Sequence, residues 1–372
     1  MTMINRKSLI QALTLAAKIA PKRSVIPILQ YVRLSYSDGL LHIQATDCDQ
    51  HFKIVIPSSY CLSAPICVPI KDALAIVKSS KDEFVTIEYH SGAMVTIDNA
   101  ALPGLPASDF PEDNNWRTDG GSITLSNADW IKSIEAILPV TSKDDTRYYL
   151  QGAMVGTRAK GEVSFVATDG HRLALQNIDC VNDITRDEII PSYALESIVR
   201  ILGFETPRDK TVMQYVSHDS GSRAIRITTD SVCYTSRVID GSFPDYTRVI
   251  PVPDAEAHFV IVPLASVHDT AKSLIGLLPT KDSAIVLETN LGNVTLATSS
   301  ADTVQMTKSL PSASQGGNNV TIGFRASYLV DLAKTFPKGS ALTIEMQNAL
   351  SPALITSGNA PGLSYVLMPV RI

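Results

Sequence analysis

The stretch Val163-Ser164-Phe165-Val166-Ala167-Thr168-Asp169 is an apolar, strand-like run that ends in Ala-Thr-Asp. Two other apolar runs end similarly, one at Ala45-Thr46-Asp47 and one, with serine in place of aspartate, at Ala297-Thr298-Ser299. The distance along the chain is 122 residues from Ala45 to Ala167 and 130 residues from Ala167 to Ala297. A signal that returns at so regular a spacing indicates three copies of one domain rather than one large fold.

Helical patterns keep the same spacing as these runs. Each copy is predicted to open with an amphipathic helix, and the three helices are centred on Leu9 to Ala20, Trp130 to Ile137 and Leu264 to Leu278. Asn5 and Ser126 precede the first two of them as candidate N-caps. A second helix is predicted in each copy, over Ile70 to Ser79, Pro191 to Leu202 and Arg325 to Phe336.

The remaining apolar residues alternate with polar ones, which is typical of strands in antiparallel sheets. The clearest alternating runs are Val85 to Tyr89, Ile225 to Ile227 and Ile285 to Thr289, and Asn290-Leu291-Gly292-Asn293 is typical of a hairpin connection. The prediction is an α+β chain made of three domains, each with two helices against antiparallel sheets. We place the domains at residues 1–120, 121–251 and 252–372, with Pro103 to Gly121 as a linker and a second junction within Pro244 to Pro253.

Composition limits the possible functions. The 372 residues carry a net charge of −5, which argues against a protein that holds nucleic acid by a large positive surface. The five cysteines, Cys48, Cys61, Cys67, Cys180 and Cys233, lack the close paired spacing of a zinc site, and we expect free thiols and no metal or cofactor. Residues 1–7 show no apolar stretch of signal-peptide type, so a cytoplasmic protein is expected.

An enzyme is a weaker interpretation. Asp169, His171 and Ser164 could form a hydrolytic set, and Asp47, Asp49 and His51 a metal cluster. The chain has no Gly-x-Ser-x-Gly element and no phosphate-binding loop with Gly-Lys-Ser/Thr, and aspartates at strand ends are common turn formers. No catalytic residue is therefore predicted.

Several motifs resemble those of one family. They are Leu105-Pro106-Ala107-Ser108-Asp109-Phe110-Pro111, Arg147 to Gly152, Ala167 to Ala174, Asp240 to Tyr246 and the terminal Tyr365 to Ile372. In order and separation they are similar to the bacterial DNA polymerase III beta subunit, the sliding clamp, over the whole chain. The resemblance implies a ring-forming, head-to-tail homodimer of three DNA-clamp domains that encircles duplex DNA without sequence preference. It implies a non-catalytic subunit of the polymerase holoenzyme, loaded by an ATP-driven loader.

The resemblance also implies a peptide pocket between the second and third domains, for short linear motifs of the polymerase alpha subunit and the clamp loader. The residues that fall there are Leu150, Thr168, Gly170, His171, Arg172, Leu173, Pro244, Arg248, Val249, Tyr328, Val366, Met368, Pro369, Val370 and Arg371. The aliphatic members would supply an apolar floor, and Arg172, Arg248 and Arg371 would hold carbonyls or carboxylates at the rim. Simple core packing is the alternative interpretation of the aliphatic members.

Two further sets follow from the resemblance. DNA contacts are expected at Arg23, Tyr148, Tyr149 and Arg200, and dimer contacts at Ala100, Leu102, Leu277 and Leu278. Ala100 stands where the family commonly has a large aromatic residue, and Pro103 lacks a backbone donor, so the dimer is expected to be weaker than usual. An alternative from another class is a clamp-like decoy that captures partner peptides without encircling DNA.

Overall fold

The computed structural model describes residues 4–59, 62, 64–90, 92, 94–112, 115–159, 161–252, 258–290, 293–298, 304–311, 314–317 and 319–372. Of the positions named above, Cys61, Leu291, Gly292, Ser299 and Pro253 lie outside these residues. No helix within the described ranges is long and apolar enough to span a membrane.

The elements are numbered along the chain. Up to residue 126 they are β1 (Ile4–Asn5), α1 (Arg6–Ile19), β2 (Tyr31–Ser37), β3 (Leu40–Thr46), β4 (Gln50–Pro57), β5 (Ile66–Pro69), α2 (Ile70–Ser79), β6 (Phe84–Val85), β7 (Ile87–His90), β8 (Met94–Ile97), β9 (Ala100–Pro103), β10 (Leu105–Pro106) and β11 (Trp116–Ser126). From there to residue 237 they are α3 (Asn127–Ile137), β12 (Gly152–Gly156), β13 (Glu162–Thr168), β14 (Arg172–Asp179), β15 (Val181–Asn182), β16 (Glu188–Pro191), α4 (Ser192–Leu202), β17 (Lys210–His218), β18 (Arg223–Thr228) and β19 (Val232–Arg237). The remainder are β20 (His258–Pro263), α5 (Leu264–Ile275), β21 (Ala284–Asn290), β22 (Asn293–Thr298), β23 (Thr307–Leu310), β24 (Ser314–Gly316), β25 (Thr321–Arg325), α6 (Ala326–Thr335), β26 (Ala341–Met346), β27 (Ala353–Thr356) and β28 (Leu363–Leu367).

The helices confirm the amphipathic patterns. Helix α1 is capped by Asn5, whose side chain accepts a hydrogen bond of 3.1 Å from the backbone N–H of Ser8. Helix α5 ends at Ile275, before the predicted Leu278: the N–H groups of Leu277 and Leu278 bond to the carbonyls of Leu274 and Ile275, three residues back, in place of α-helical bonds. In α3 the predicted apolar face is buried, and the Trp130 ring packs edge-on against Phe165 with ring centroids 5.7 Å apart.

The chain divides into two compact units. The first comprises Met1–Ala128, Val181–Arg186 and Glu196–Val238, and the second Asp129–Cys180, Asp187–Leu195 and Ile239–Ile372. In the described part of the first unit, a long antiparallel sheet has the order β10-β5-β2-β3-β4-β19-β18-β17-β11-β15, beside the sheet β7-β8-β9. In the described part of the second, the long sheet has the order β16-β12-β13-β14-β28-β27-β26-β20-β24, beside the sheet β23-β22-β21-β25.

Each long sheet joins strands from two consecutive copies of the repeat. In the first unit β4 pairs with β19, and in the second unit β14 pairs with β28, both antiparallel. Because these pairings continue the sheets, the compact units follow the sheets rather than the copies. The domain boundaries at 120 and 251 therefore stay a prediction.

The predicted linker Pro103 to Gly121 stays a prediction as a domain junction, but much of this stretch is strand. Its start forms the end of β9 and then β10, and its last residues belong to β11, which pairs with β17 from Trp116↔His218 onward. Pro103 and Pro106 are the last residues of β9 and β10, and Gly120 and Gly121 lie at a register shift between Thr118 and Ser122. Gly and Pro mark such irregularities in strands as well as loops.

Candidate functional site

A tight turn connects β13 to β14 in the second unit. The Thr168 hydroxyl donates to the carbonyl of Arg172 at 2.7 Å and accepts from the N–H of Gly170 at 3.1 Å. The Asp169 carboxylate accepts from the N–H groups of His171 (2.9 Å) and Arg172 (3.1 Å). Gly170 has φ +89°, a left-handed conformation that glycine adopts most easily, and a Cβ there would make the Arg147 guanidinium, 2.5 Å away, move aside.

The same turn is found in the first unit, between β3 and β4. The Thr46 hydroxyl donates to the carbonyl of Gln50 at 2.7 Å, and Asp47 accepts from the N–H groups of Asp49 and Gln50. Cys48 takes the left-handed position with φ +79°. The recurrence of the Ala-Thr-Asp signal therefore reflects one turn geometry, in which threonine and aspartate satisfy the backbone.

Arg172 follows this turn, and its side chain hydrogen-bonds to several other parts of the site. Its Nε donates to Asp169 at 2.9 Å, its Nη1 to Asp331 of α6 at 2.9 Å, and its Nη2 to the carbonyl of Pro139 at 3.0 Å. The guanidinium carbon lies 4.3 Å from the centroid of the Tyr328 ring. Only 9% of the side chain is exposed, so Arg172 holds the wall of the site together and is not at the rim as predicted.

The titrations around Arg172 follow from its burial. Burial by itself would lower the pKa of the guanidinium, but Tyr365, Asp169 and Asp331 raise it overall. Burial also raises the pKa of the Tyr365 hydroxyl, against the opposing effect of Arg172. Arg172 is therefore charged and Tyr365 neutral in the folded chain.

A cavity of about 200 Å³ opens beside this turn. Its lining is mostly apolar and comes from the turn, from β14 and β28, and from the 3₁₀ turn that begins at Tyr246: Leu150, Thr168, Gly170, His171, Arg172, Leu173, Pro244, Asp245, Tyr246, Val249, Val366 and Met368. Beneath it lies a buried cluster of Met154, Val166, Leu173, Tyr246 and Val366. Val249 and Met368 are 41% and 37% exposed, so apolar surface remains open to solvent at this cavity.

The cavity brings together ten of the predicted pocket residues, and their role in binding stays a prediction. Tyr328, Arg248, Pro369, Val370 and Arg371 lie outside its lining. Tyr328 is buried between the guanidinium groups of Arg172 and Arg325, and Val370 donates its N–H to the carbonyl of Gly323 at 2.9 Å. Arg248 is ion-paired with Asp245 at 2.9 Å on an exposed surface.

Sequence reasoning missed two lining residues, Asp245 and Tyr246. Both belong to the motif Asp240 to Tyr246, so the signal was present and only these two members of the motif were not identified. Tyr246 is 4% exposed, and its hydroxyl accepts from Arg158 Nε at 3.1 Å. Asp245 caps the 3₁₀ turn by accepting from the N–H of Thr247, which positions Tyr246 and Val249.

The residues predicted to contact DNA are at the surface. Arg23 is exposed next to Val25, which is 99% exposed. The rings of Tyr148 and Tyr149 pack edge-to-face with centroids 5.7 Å apart, and Tyr148 is half exposed. Arg200 is ion-paired with Glu196 at 2.7 Å and lies in the last turn of α4, where α2 and α6 carry Lys78 and Lys334.

The residues predicted to contact a second copy occupy two separate places. Ala100 and Leu102 lie on β9, an edge strand whose partner in the described sheet is β8. Pro103 is the last residue of β9 and faces Met94, so its missing donor costs little at a strand end. Leu277 and Leu278 follow α5 and are half-buried.

The cysteines that the structure describes are free thiols, and no cluster of metal-ligating side chains is found among the described residues. Burial raises the pKa of the Cys67 thiol to about 12. The set suggested as a metal cluster has structural positions: Asp47 and Asp49 belong to the turn before β4, and His51 pairs with Thr46 at the start of that strand.

Three family models together match nearly the whole chain. Residues 1–114 match the N-terminal domain of the DNA polymerase III beta subunit, residues 124–245 its central domain, and residues 248–371 its C-terminal domain. The chain belongs to the DNA polymerase III beta subunit family. The three matches follow one another in the order that the repeat predicts.

Relatives and solved structures agree with this assignment. The chain is 29% identical to the beta sliding clamp of Caulobacter vibrioides and 26% identical to that of Vibrio cholerae, each match covering 99% of both proteins. It is similar to the crystal structure of the sliding clamp from Bartonella birtlesii bound to griselimycin, with 25% identity and a TM-score of 0.86 over 100% of this chain and 99% of that one. The beta subunit structure from Pseudomonas aeruginosa has a TM-score of 0.88 at 24% identity, over 100% of both chains, which shows the shared fold.

Proposed function

We propose that this chain is a sliding clamp, a non-catalytic subunit of a DNA polymerase holoenzyme that acts in the cytoplasm. Two copies would close head to tail into a ring around duplex DNA. The cavity beside the Thr168–Arg172 turn would bind short linear motifs of the polymerase III alpha subunit and of the clamp loader. Membership of the beta subunit family and the beta sliding clamps matched over 99% of their length support this function.

The cavity is the observation that carries the tethering role. An apolar cavity bordered by a sheet and a 3₁₀ turn, with exposed Val249 and Met368 at its lining, suits the hydrophobic anchors of an extended peptide. Burial of such anchors contributes about 25 cal/mol for each Å² of apolar surface removed from water. A few such anchors would give modest affinity. Modest affinity suits reversible tethering, in which one polymerase can be exchanged for another.

The charge of the chain supports retention by linkage rather than by adhesion. A net charge of −5 would oppose tight binding to phosphates, whereas a ring needs no strong contact to stay on DNA. The exposed basic residue in the last turn of α2, α4 and α6 would supply weak contacts without sequence preference.

The dimer would use the open edge of β9 and the segment after α5. One subunit has one of each, so a head-to-tail contact can close a ring. Ala100 offers little side-chain area, and we expect dissociation of the dimer at lower micromolar or nanomolar concentrations. Sedimentation over that range tests this point, and a dimer that persists throughout would contradict it.

Retention on DNA tests the ring directly. The protein is loaded by a clamp loader and ATP onto a nicked circular plasmid, and the plasmid is then linearised. We expect the protein to remain on the circle and to be lost from the linear molecule, because only the circle is topologically linked. Equal retention on both would favour the decoy-like alternative or ordinary surface binding.

Peptide capture tests the cavity separately. Met368→Ala is expected to weaken binding of a fluorescent polymerase-tail peptide about tenfold. The substitution removes apolar surface that the peptide would bury, and a loss of about 1.4 kcal/mol in binding free energy corresponds to a tenfold change in Kd. Met306→Ala is a matched control, because Met306 is 40% exposed and lies outside the cavity. An equal effect of the two substitutions would contradict the assignment.

Leu173 is less suitable for this test. It is 2% exposed and belongs to the buried cluster beneath the cavity. Truncation of such a leucine costs about 2–5 kcal/mol of stability, so lost binding could not be separated from unfolding.

A further inference from the structure

The strand pair that borders the cavity in the second unit has a counterpart in the first unit. There β4 pairs with β19 as β14 pairs with β28, with Gln50↔Ser236 corresponding to Arg172↔Leu367. The N–H of Arg237 donates to the carbonyl of Asp49 at 2.9 Å, and the N–H of Met368 donates to the carbonyl of His171 at 3.0 Å. The two junctions are therefore alike in register and backbone bonding.

The side chain after the turn is buried at both junctions. Gln50 accepts from the Ser197 hydroxyl of α4 at 3.0 Å and from the Tyr234 hydroxyl at 2.7 Å. Arg172 likewise reaches a helix and a tyrosine, at Asp331 and Tyr365. Equivalent positions therefore connect the strands to a helix and a tyrosine at both junctions, through a neutral glutamine in the first unit and a charged arginine in the second.

The first unit also has a cavity, of about 350 Å³, on the sheet next to this junction; the turn residues Thr46 to Gln50 do not line it, and its volume is within the usual range for ligand sites. It is lined by Arg33, Gln44, Ala45, His51, Phe52, Lys53, Phe110, Pro111, Glu112, Arg226 and Cys233. The sheet register relates its members to those of the apolar cluster: Arg33 faces Gln44 where Met154 faces Val166. His51 and Lys53 stand on β4 where Leu173 and Leu175 stand on β14.

Two of the three cations in this cavity, Arg33 and Lys53, have hydrogen-bonding capacity that the described residues do not use. Arg33 donates from Nη1 to the Gln44 side chain at 2.8 Å, while its buried Nε has no hydrogen-bond acceptor among the described residues. Lys53 makes no ion pair within the described part of the chain. Arg226 donates from Nε to the Thr235 hydroxyl at 3.2 Å. A buried donor without an acceptor is costly, and an incoming anion would satisfy it.

We propose that this cavity is a second peptide site, which binds an acidic segment of a partner protein through a glutamate or aspartate side chain. The carboxylate would accept from Arg33 and Lys53, and a neighbouring apolar residue of the peptide would pack on Pro111 and the Phe110 ring beneath it. Charge-assisted hydrogen bonds of this kind are about twice as strong as neutral ones. The apolar cavity of the second unit would not select such a peptide, because its corresponding positions carry Met154, Leu173 and Leu175.

The lining favours a peptide over a phosphate. Glu112 stands in the same cavity and would oppose a dianion such as inorganic phosphate more than a single carboxylate, which can be placed away from it. Phe52, Phe110 and Pro111 add apolar surface that a phosphodiester does not use. The strand pair also matches that of the apolar cavity, where an extended peptide is the proposed ligand.

The test uses the full chain and a fluorescein-labelled hexapeptide that alternates leucine and glutamate. The matched probe has glutamine in place of each glutamate. We expect the acidic peptide to bind about tenfold or more tightly than its glutamine analogue, and Lys53→Gln or Arg33→Gln to remove that preference. Lys210→Gln, an exposed cation on the same sheet, should leave binding unchanged.

Two further readouts keep the outcome unambiguous. Bound acidic peptide should slow alkylation of Cys233, which lines the cavity, as measured by mass spectrometry. Met368→Ala should not change this binding, so failure at one cavity is distinguishable from failure at the other. Equal binding of the two peptides, unchanged binding in the folded Lys53→Gln variant, or displacement by inorganic phosphate alone at equal concentration would overturn the proposal.

Discussion

Replacement of Arg172 by methionine is expected to destabilise the second unit by about 3 kcal/mol, near the lower end of the range for breaking a buried ion pair. The side chain is 9% exposed, and its two carboxylate partners, Asp169 and Asp331, are 16% and 20% exposed. Methionine fills part of the volume but leaves both carboxylates without the guanidinium. Lys334 still contacts Asp331 at 2.6 Å, which limits the loss.

A matched control is present in the same unit. Arg248 pairs with Asp245 three residues before it, with the same 2.9 Å between Nε and Oδ2 as in the pair of Arg172 with Asp169. The Arg248 side chain is 84% exposed, so solvent screens the pair. Arg248→Met should therefore have no measurable effect on stability, although the ion-pair geometry is the same.

The assay is guanidinium unfolding followed by tryptophan fluorescence. The chain has two tryptophans, and Trp116→Phe leaves Trp130, which is buried in the second unit, as the single reporter. Arg172→Lys should recover only part of the loss, because an ammonium group cannot reach Asp169, Asp331 and the Pro139 carbonyl together. Equal stability of the Arg172→Met and Arg248→Met variants would refute the reasoning.

Two other predictions concern the backbone and a buried thiol. Gly362 and Gly339 both have left-handed backbones, with φ of +77° and +81°. A Cβ on Gly362 would lie 2.2 Å from the Asn177 carbonyl oxygen, whereas one on Gly339 would meet nothing within 4 Å. Gly362→Ala should therefore lower the free energy of unfolding by about 1–3 kcal/mol more than Gly339→Ala in the same assay. Equal losses of stability in the two variants would contradict the predicted steric clash at Gly362. Burial raises the pKa of Cys67 from 9.0 to about 12, so iodoacetamide at pH about 8 should modify exposed Cys48 and spare Cys67 in the folded chain. Since the unfolded thiol ionises first, the stability that protonated Cys67 contributes is complete below pH 9.0 and is lost as the pH rises towards 12; a Cys67→Ala variant with the same alkaline loss would contradict this.

The helices were predictable because their signals are local. The apolar spacing of Ile70 to Ser79 depends on neighbours within a few residues, and α2 has the predicted bounds. Helix α5 ends before the predicted Leu278 because Leu277 and Leu278, although apolar, continue the chain in tighter turns. The strand β11 was missed because its glycines and the preceding loop resemble a linker, while its partner β17 is far along the chain.

The candidate site was predictable only in part. Its residues could be named because Thr168, Asp169 and Gly170 form a turn that short-range chemistry requires. That Arg172 faces inward could not be read from the sequence, since its acceptors Asp331 and Pro139 are far from it along the chain. An arginine beside a turn is most often at the surface, and burial depends on partners that only folding brings close.

The amino-acid sequence alone determined the threefold repeat, the helices and the turns that follow Ala45 and Ala167, because these follow from spacing and local hydrogen bonding. Tertiary structure decided that β4 continues into β19 and β14 into β28, and that one such junction carries an apolar cavity and the other a cationic one. The physical reason is that strand pairing and burial depend on residues distant in the chain, whose side chains acquire a shared environment only when the sheets have formed.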